Sequence, residues 1–286
     1  MKQKGVALIQ VLIITAILSI IALFMTKSAK QQVQIAQWGL DKTEAFLEGY
    51  SVENKIIFEL LTNNLDSLAQ SGISTNKDWN LYGKAFKVGQ YSTVSIQDNA
   101  GLLNLQYPNP ELFKAQLRSL GLNPAEQGLI LSVLLDWQDG DRLPRNNGSE
   151  RAYFRNAPML DKREWYIHNS LSEEMLDRVI DNFTIPGLSY INFMNSPESV
   201  LKVHFSPQVV SRIIKAREAK ELTRRRMKEI TNIVEDEDVF FTSSDQYQIS
   251  INVDFHQSSY RRSMLIDLEP YVLNSPPYSV FSSTGG

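Results

Sequence analysis

Hydrophobic and polar positions divide the chain into three regimes. Val6 to Met25 reads VALIQVLIITAILSIIALFM, an apolar run with no formal charge. As a helix it rises about 30 Å, the thickness of a bilayer's hydrocarbon core. Beyond it Val33, Ala36, Leu40, Leu47, Tyr50, Ile57 and Leu61 recur at steps of three, four and seven, which predicts that the helix continues with one apolar stripe. Asn63-Asn64 and Ser71-Gly72 end that pattern.

The period then changes to two. Phe86 and Val88, then Val94 and Ile96, alternate with polar residues, and Asp98-Asn99-Ala100-Gly101 makes a turn before Leu102 to Leu105. Alternation returns only late in the chain. Tyr247, Ile249, Ile251, Val253 and Phe255 form one half-buried strand, His256 to Ser259 turn the chain, and Met264, Ile266 and Leu268 form the next. Val239 to Phe241 reads as a shorter strand before them, and the tail from Tyr271 to Gly286, rich in Ser and Pro, as loosely ordered. Together these pieces predict an antiparallel sheet interrupted by a long insertion.

The insertion, Pro108 to about Glu235, has the helical period. Leu112, Leu117, Leu120 and Leu122 lead to Asn123-Pro124, an N-cap with proline at the first helical position, and Leu129 to Trp137 continue as an apolar helix. A second unit has the same form, with Val200, Leu201, Val203 and Phe205 leading to Ser206-Pro207, then Val209, Val210, Ile213 and Ile214. The pair reads either as a weak repeat of helix-hairpin-helix or SAM-like type or as two unrelated helical hairpins with good caps. The fold class is therefore α+β: a long N-terminal helix, an antiparallel sheet and an inserted helical domain.

Composition narrows the function. The chain has 286 residues, 43% hydrophobic and 21% charged, with a formal net charge of -3, which argues against bulk electrostatic binding of nucleic acid. It has no cysteine, excluding disulfides, thiolate metal sites and a cysteine nucleophile. His168, His204 and His256 show no metal-ligand spacing, and no nucleophile-elbow, Walker or dinucleotide-binding glycine pattern occurs, so the chain does not read as an enzyme. The basic run Arg217 to Lys228 is interleaved with Glu218 and Glu221 and followed by Glu229, the pattern of a solvated helix; gripping a DNA backbone is the competing reading.

One loop concentrates carboxylates. Asp136, Asp139, Asp141 and Glu150 stand close together around Gly140 and Gly148. Such hard oxygen donors on a glycine-bearing loop suit calcium, although the spacing is not that of an EF-hand, and composition alone favours a solvated acidic loop.

The N-terminus admits a cleaved secretory signal, but the basic region is very short and no A-x-A-like site follows the apolar run. The string K-G-V-A-L-I-Q-V instead resembles the leader of prepilins and pseudopilins. That resemblance implies cleavage by a prepilin peptidase between Gly5 and Val6, methylation of the new terminus and retention of the helix as an anchor. Loop charges leave the topology near a tie, because Lys27 and Lys30 follow the span; cytoplasmic processing implies that the C-terminal bulk lies in the periplasm. Gln10 occupies the fifth mature position, where pilins carry a Glu that pairs with the N-terminal ammonium of the subunit ahead. A subunit with nothing ahead has no need of that acid in hydrocarbon, so Gln10 is read as a mark of a tip position, the plainer reading being an amide that hydrogen-bonds where the acid would.

Further strings make the resemblance more specific. Asp136-Trp137-Gln138-Asp139-Gly140-Asp141 with Pro144, Gly148 and Glu150, then Ile191-Asn192-Phe193-Met194-Asn195-Ser196-Pro197 with Val200-Leu201, resemble in order two segments of the K-type minor pseudopilins of type II secretion. Asp98 to Leu105 sits where that family has a turn. Met194, Ser196 and Arg151 depart from its pattern. The resemblance implies a structural calcium in the acidic loop, with Arg151 in place of an acid leaving one ion there. It also implies a fibre-tip role beside the I- and J-type minor pseudopilins above the major pseudopilin, single-pass anchoring in the inner membrane, and secreted substrate as a further contact. A minor pilin of a type IV pilus or DNA-uptake system is the alternative. The expected organisation is a leader (1–5), membrane helix (6–26), periplasmic stalk (27–65), a split α/β core (66–108 and 235–272), the helical insertion (109–234) and a tail (273–286).

Overall fold

The computed structural model describes residues 4–63, 78–167 and 170–285. Met1 to Gln3, Asn64, Ser71-Gly72 and His168, which figure in the sequence reading, lie outside them. Helix α1, Lys4–Thr62, runs unbroken for 59 residues, about 90 Å at 1.5 Å per residue. Lys4 and Gly5 are already helical and continuous with Val6. The apolar segment that follows is wholly exposed, a free stalk projecting from the body. Asn63 closes the helix: its backbone N–H and side-chain amide both donate to the Glu59 carbonyl.

Only the upper part of α1 touches protein. Asp41, Ala45, Val52, Glu53, Ile56, Ile57 and Leu60 are buried against the sheet. The stripe predicted from the sequence is a different one. Of its members Ile57 is buried and Leu61 half-buried, whereas Val33, Ala36, Leu40, Leu47 and Tyr50 face solvent. A seven-residue repeat drifts about 20° per heptad on a straight helix, so a stripe aligned with the sheet at Ile57 has turned well away from it at Val33.

The sheet has strand order β1-β2-β5-β6-β7, with β1 Phe86–Val88, β2 Ser92–Asp98, β5 Gln246–Phe255, β6 Ser258–Leu268 and β7 Tyr278–Gly285, all neighbours antiparallel. Val94, Ile96, Tyr247, Ile249, Ile251, Val253, Met264 and Ile266 point inward and pack with α1 as one core. The tail is not loose: β7 pairs along β6 from Leu268↔Tyr278 to Arg262↔Gly285. Alternation was hidden there by a register shift at Leu265/Ile266 and by serines at positions that need no apolar partner.

Two short strands expected in the sheet lie elsewhere. Beyond Asp98 the turn carries the chain off the sheet, and β3, Leu103–Asn104, pairs in parallel with β4, Phe183–Thr184. Val239 makes only an isolated parallel bridge with Ile191. Leu103, Leu105 and Phe241 belong to a second core, that of the helical insertion, which therefore reaches beyond 109–234 at both ends.

The insertion contains α2 Pro110–Ser119, α3 Pro124–Gln138, α4 Glu173–Val179, α5 Glu198–His204, α6 Pro207–Glu218 and α7 Arg224–Thr231. Asn123 and Glu126 form a reciprocal capping box before α3, and Ser206 caps α6 through the Val209 N–H. Both caps fall where the Asn-Pro and Ser-Pro pairs placed them. Phe113, Trp165 and Phe183 cluster at its centre with ring centroids 5.2–5.6 Å apart, Phe113 stacked on Trp165 and Phe183 meeting both edge-on.

Candidate functional site

The acidic loop begins in the last turn of α3. Asp136 is fully buried, and the protein satisfies it. Its Oδ1 accepts from Arg145 Nη1 at 2.9 Å and its Oδ2 from the Ser149 N–H at 2.9 Å, with the Arg145 N–H nearby at 3.2 Å. Gly148 is required beside it, because a Cβ there would lie 1.9 Å from Asp136 Oδ2. Asp136 thus folds the 139–150 loop back onto α3.

Of the four carboxylates in the loop, the other three converge. Asp139, at the C-cap of α3, Asp141 and Glu150 each offer an oxygen, and these atoms lie within 4.8 Å of one another. Asp141 Oδ1 accepts from the Leu143 N–H at 2.8 Å, and the Asp141 carbonyl accepts from Asn156 Nδ2 at 2.6 Å. Arg145 also reaches Asp139 Oδ2, so one guanidinium serves Asp136 and Asp139 together. Asp139 Oδ1, Glu150 Oε1 and Asn156 Oδ1 are buried atoms without a hydrogen-bond partner. Burial first, then the charges of Asp139, Asp136 and Asp141, raise the Glu150 carboxyl above its usual range.

Three crowded acids, two of them with an orphaned oxygen, form a donor set suited to a hard cation. Calcium accepts carboxylate and carbonyl oxygens in irregular numbers, and the residues present fit it. Arg151 turns aside, its Nη1 donating to the Tyr153 hydroxyl at 2.6 Å. The sequence had no signal for Arg145 as the counter-charge, nor for Asn156 as the amide that donates to the Asp141 carbonyl, because both depend on how the loop closes.

The other candidates stand apart. Gln10 is exposed on the stalk, as is Val6 at the expected processing point. Arg225 and Arg226 both pair with Glu229, at 3.0 and 3.1 Å, and Arg224 donates to Thr242 Oγ1, so the 224–229 part of the run is a laced helix surface, whereas Arg217 at its start is buried rather than solvated. His204 is largely buried beside Phe193, and burial lowers its pKa to about 4. His256 lies in the turn between β5 and β6, in another part of the molecule.

No family model matches the chain. Among curated proteins, "Type II secretion system protein K" of Klebsiella pneumoniae is 28% identical over 173 residues, covering 55% of this chain and 52% of the relative. The chain is similar to type II secretion system protein K. The match spans about half the length of that relative. Among solved structures, a chain of the GspK-GspI-GspJ complex from the type 2 secretion system of enterotoxigenic Escherichia coli aligns with a TM-score of 0.56 at 14% identity, covering 85% of this chain and 98% of its own. That likeness establishes the fold: a long N-terminal helix, an antiparallel sheet and further helices arranged as in that chain. The protein K resemblance read from the ordered strings is thus met by a relative in sequence and by a solved structure in fold.

Proposed function

We propose that the chain is a minor pseudopilin of type II secretion, seated at the tip of a pseudopilus. The observation that carries the reading is α1: one helix whose apolar half stands free of the body while its upper half is built into the sheet. A protein with that helix is anchored in a membrane at one end and presents its globular part at the other. The heptad-spaced stripe of Val33, Ala36, Leu40, Leu47 and Tyr50 is left exposed, and seven-residue spacing is what a helix packing alongside other helices requires. The partners in this reading are I- and J-type minor pseudopilins, then the major pseudopilin below.

The helical insertion acts by bulk. It crowns the sheet, and a further subunit stacking on that face would meet it, so growth proceeds only beneath. Neutral Gln10 agrees with a position that has no subunit ahead to supply an ammonium. Prepilin peptidase cuts between Gly5 and Val6, the terminus is methylated, and the body lies in the periplasm of a Gram-negative cell. No chemistry is assigned to the protein; its work is assembly. Asp139, Asp141 and Glu150, with Asn156, hold a structural calcium that pins the 139–156 loop to α3, while Asp136 and Arg145 set the loop's path.

The test is to express the full chain with a prepilin peptidase and with the I- and J-type pseudopilins of the same genome, then extract membranes in mild detergent. The expected result is a mature N-terminus at Val6 and recovery of the three subunits together. A mature chain starting beyond Met25 overturns the reading, and recovery only with type IV pilus or DNA-uptake subunits replaces it with that alternative.

A further inference from the structure

Two of the strings that stood out in the sequence, Asp98 to Gly101 and Ile191 to Pro197, meet where the sheet joins the helical insertion. The cores on either side are oily, but the joint is polar. Asp98, at the end of β2, is fully buried, and among the described residues no cation pairs with its carboxylate. Its oxygens accept from the Ala100 N–H at 2.9 Å, from Asn195 Nδ2 at 2.6 Å, and from both the N–H and the hydroxyl of Ser244. These donors come from three stretches: the departure from the sheet, the insertion, and the return to the sheet.

The 191–197 loop is gripped from its other side by Arg217 of α6, which is buried, its Nε without a hydrogen-bond partner among the described residues. Its Nη2 donates to the carbonyls of Phe193 and Met194 at 2.9 Å and of Ser196 at 2.8 Å, and its guanidinium lies 4.5 Å from the Tyr82 ring centroid. Gln97 Nε2 donates to the Asn195 carbonyl at 2.9 Å, the Asn192 N–H to the Ala100 carbonyl at 2.6 Å, and Asn192 Nδ2 to the Thr242 carbonyl at 3.0 Å. Gly101 is obligatory, since a Cβ would lie 2.1 Å from the Asn195 carbonyl oxygen.

Apolar contacts are non-directional and tolerate sliding, whereas buried polar groups are satisfied in one geometry and costly in any other. We propose that Asp98, Asn195 and Arg217 form a clasp that holds the helical insertion at a single orientation on the sheet, so that the stalk, sheet and insertion move as one body. Asp98 and Arg217 are charged for different reasons. The carboxylate gathers donors from both crossings of the chain, and the guanidinium gathers carbonyls of the loop between them. They do not pair with each other; Asn195 and its neighbours transmit between them. Movement of the insertion about the joint would strip donors from a buried carboxylate and acceptors from a buried guanidinium at once. The inference concerns this chain's rigidity and stands whatever its partners are.

The experiment exploits the lack of native cysteine. Asn252→Cys on the exposed face of β5 and Glu174→Cys on α4 take spin labels, and pulsed electron paramagnetic resonance reads the distance between them in the full chain in detergent. The parent is expected to give one narrow distribution. Asp98→Ala, Arg217→Met and Asn195→Ala, each with unchanged far-UV circular dichroism, are expected to broaden it about twofold or more, while Asp139→Asn in the acidic loop leaves it narrow. Should Asp98→Ala unfold the chain outright, Asn195→Ala decides, because Asp98 then keeps its Ala100 and Ser244 donors. Folded clasp variants whose distributions match the parent's overturn the proposal.

Discussion

Two acidic centres in this molecule, a lone Asp98 in a turn and a cluster of carboxylates in a loop, meet opposite surroundings in space. Asp98 is more deeply buried than Asp139 or Glu150, yet its oxygens accept from Ala100, Asn195 and Ser244. Asp139 and Glu150 crowd against Asp141, each with one buried oxygen that has no hydrogen-bond partner among the described residues. A carboxylate whose acceptors are filled is part of the scaffold, and a group of carboxylates left short of donors is suited to a cation. Burial alone does not separate the two; donor supply does.

The strongest way to break the contrast is Asp98→Ala. It leaves the Ala100 and Ser244 N–H groups and the Asn195 amide without their acceptor in a buried joint, and we expect a loss of about 3 kcal/mol in denaturant unfolding at pH 7. Asp139→Asn, by contrast, relieves like-charge crowding and is expected to cost far less without calcium. A loss for Asp139→Asn as large as that for Asp98→Ala would erase the distinction.

Calcium sharpens it from the other side. At a free concentration about 100-fold above its dissociation constant, a single bound ion stabilises the folded chain by about 2.7 kcal/mol. We expect that gain, read as a rise in Tm, in the parent and in Asn195→Ala. It should vanish in Asp139→Asn and Glu150→Gln. Equal shifts in all four proteins would show that the ion acts elsewhere.

The subtlest test, because it is read only as a difference in slope, is in pH. Burial raises Asp98 to about 6, above its ordinary value of 3.8, with its hydrogen bonds opposing the shift. Between those values the folded chain holds a proton that the unfolded chain has released, so the protonation-linked part of this group's contribution is present below about pH 4 and is lost as pH rises through 6, while its hydrogen bonds as a carboxylate remain. Burial lowers His204 to about 4, which works in the opposite sense as pH rises. Asp245, next to Ser244, is raised by its own burial and by Asp267 and adds to the Asp98 trend, while Arg217, across the loop, stays protonated throughout this range. Relative to the parent, the stability of Asp98→Asn should therefore gain up to about 1.4 kcal/mol per pH unit between pH 4 and 6. Parallel curves for the two proteins would show that Asp98 does not titrate in that window.

Local pattern decided a good deal by itself. The apolar run from Val6 to Met25, the alternation of β5 and β6, and the Asn-Pro and Ser-Pro caps of α3 and α6 each depend on residues within one or two turns of each other, so periodicity and capping chemistry reveal them directly. The acidic loop was visible as a cluster for the same reason. Which stripe of α1 is buried, that β7 completes the sheet, and that β3 leaves it were settled by packing between segments far apart in sequence.

The roles of single carboxylates belong to that second group. Asp136 and Asp139 stand three residues apart, yet Arg145 and Ser149 satisfy the first and leave an oxygen of the second orphaned. Asp98 reads as an ordinary turn residue until Asn195 and Ser244 arrive from 97 and 146 positions away. The sequence determines which groups carry charge, but a charge's free energy depends on the donors and the solvent around it, and only the closed tertiary structure supplies those.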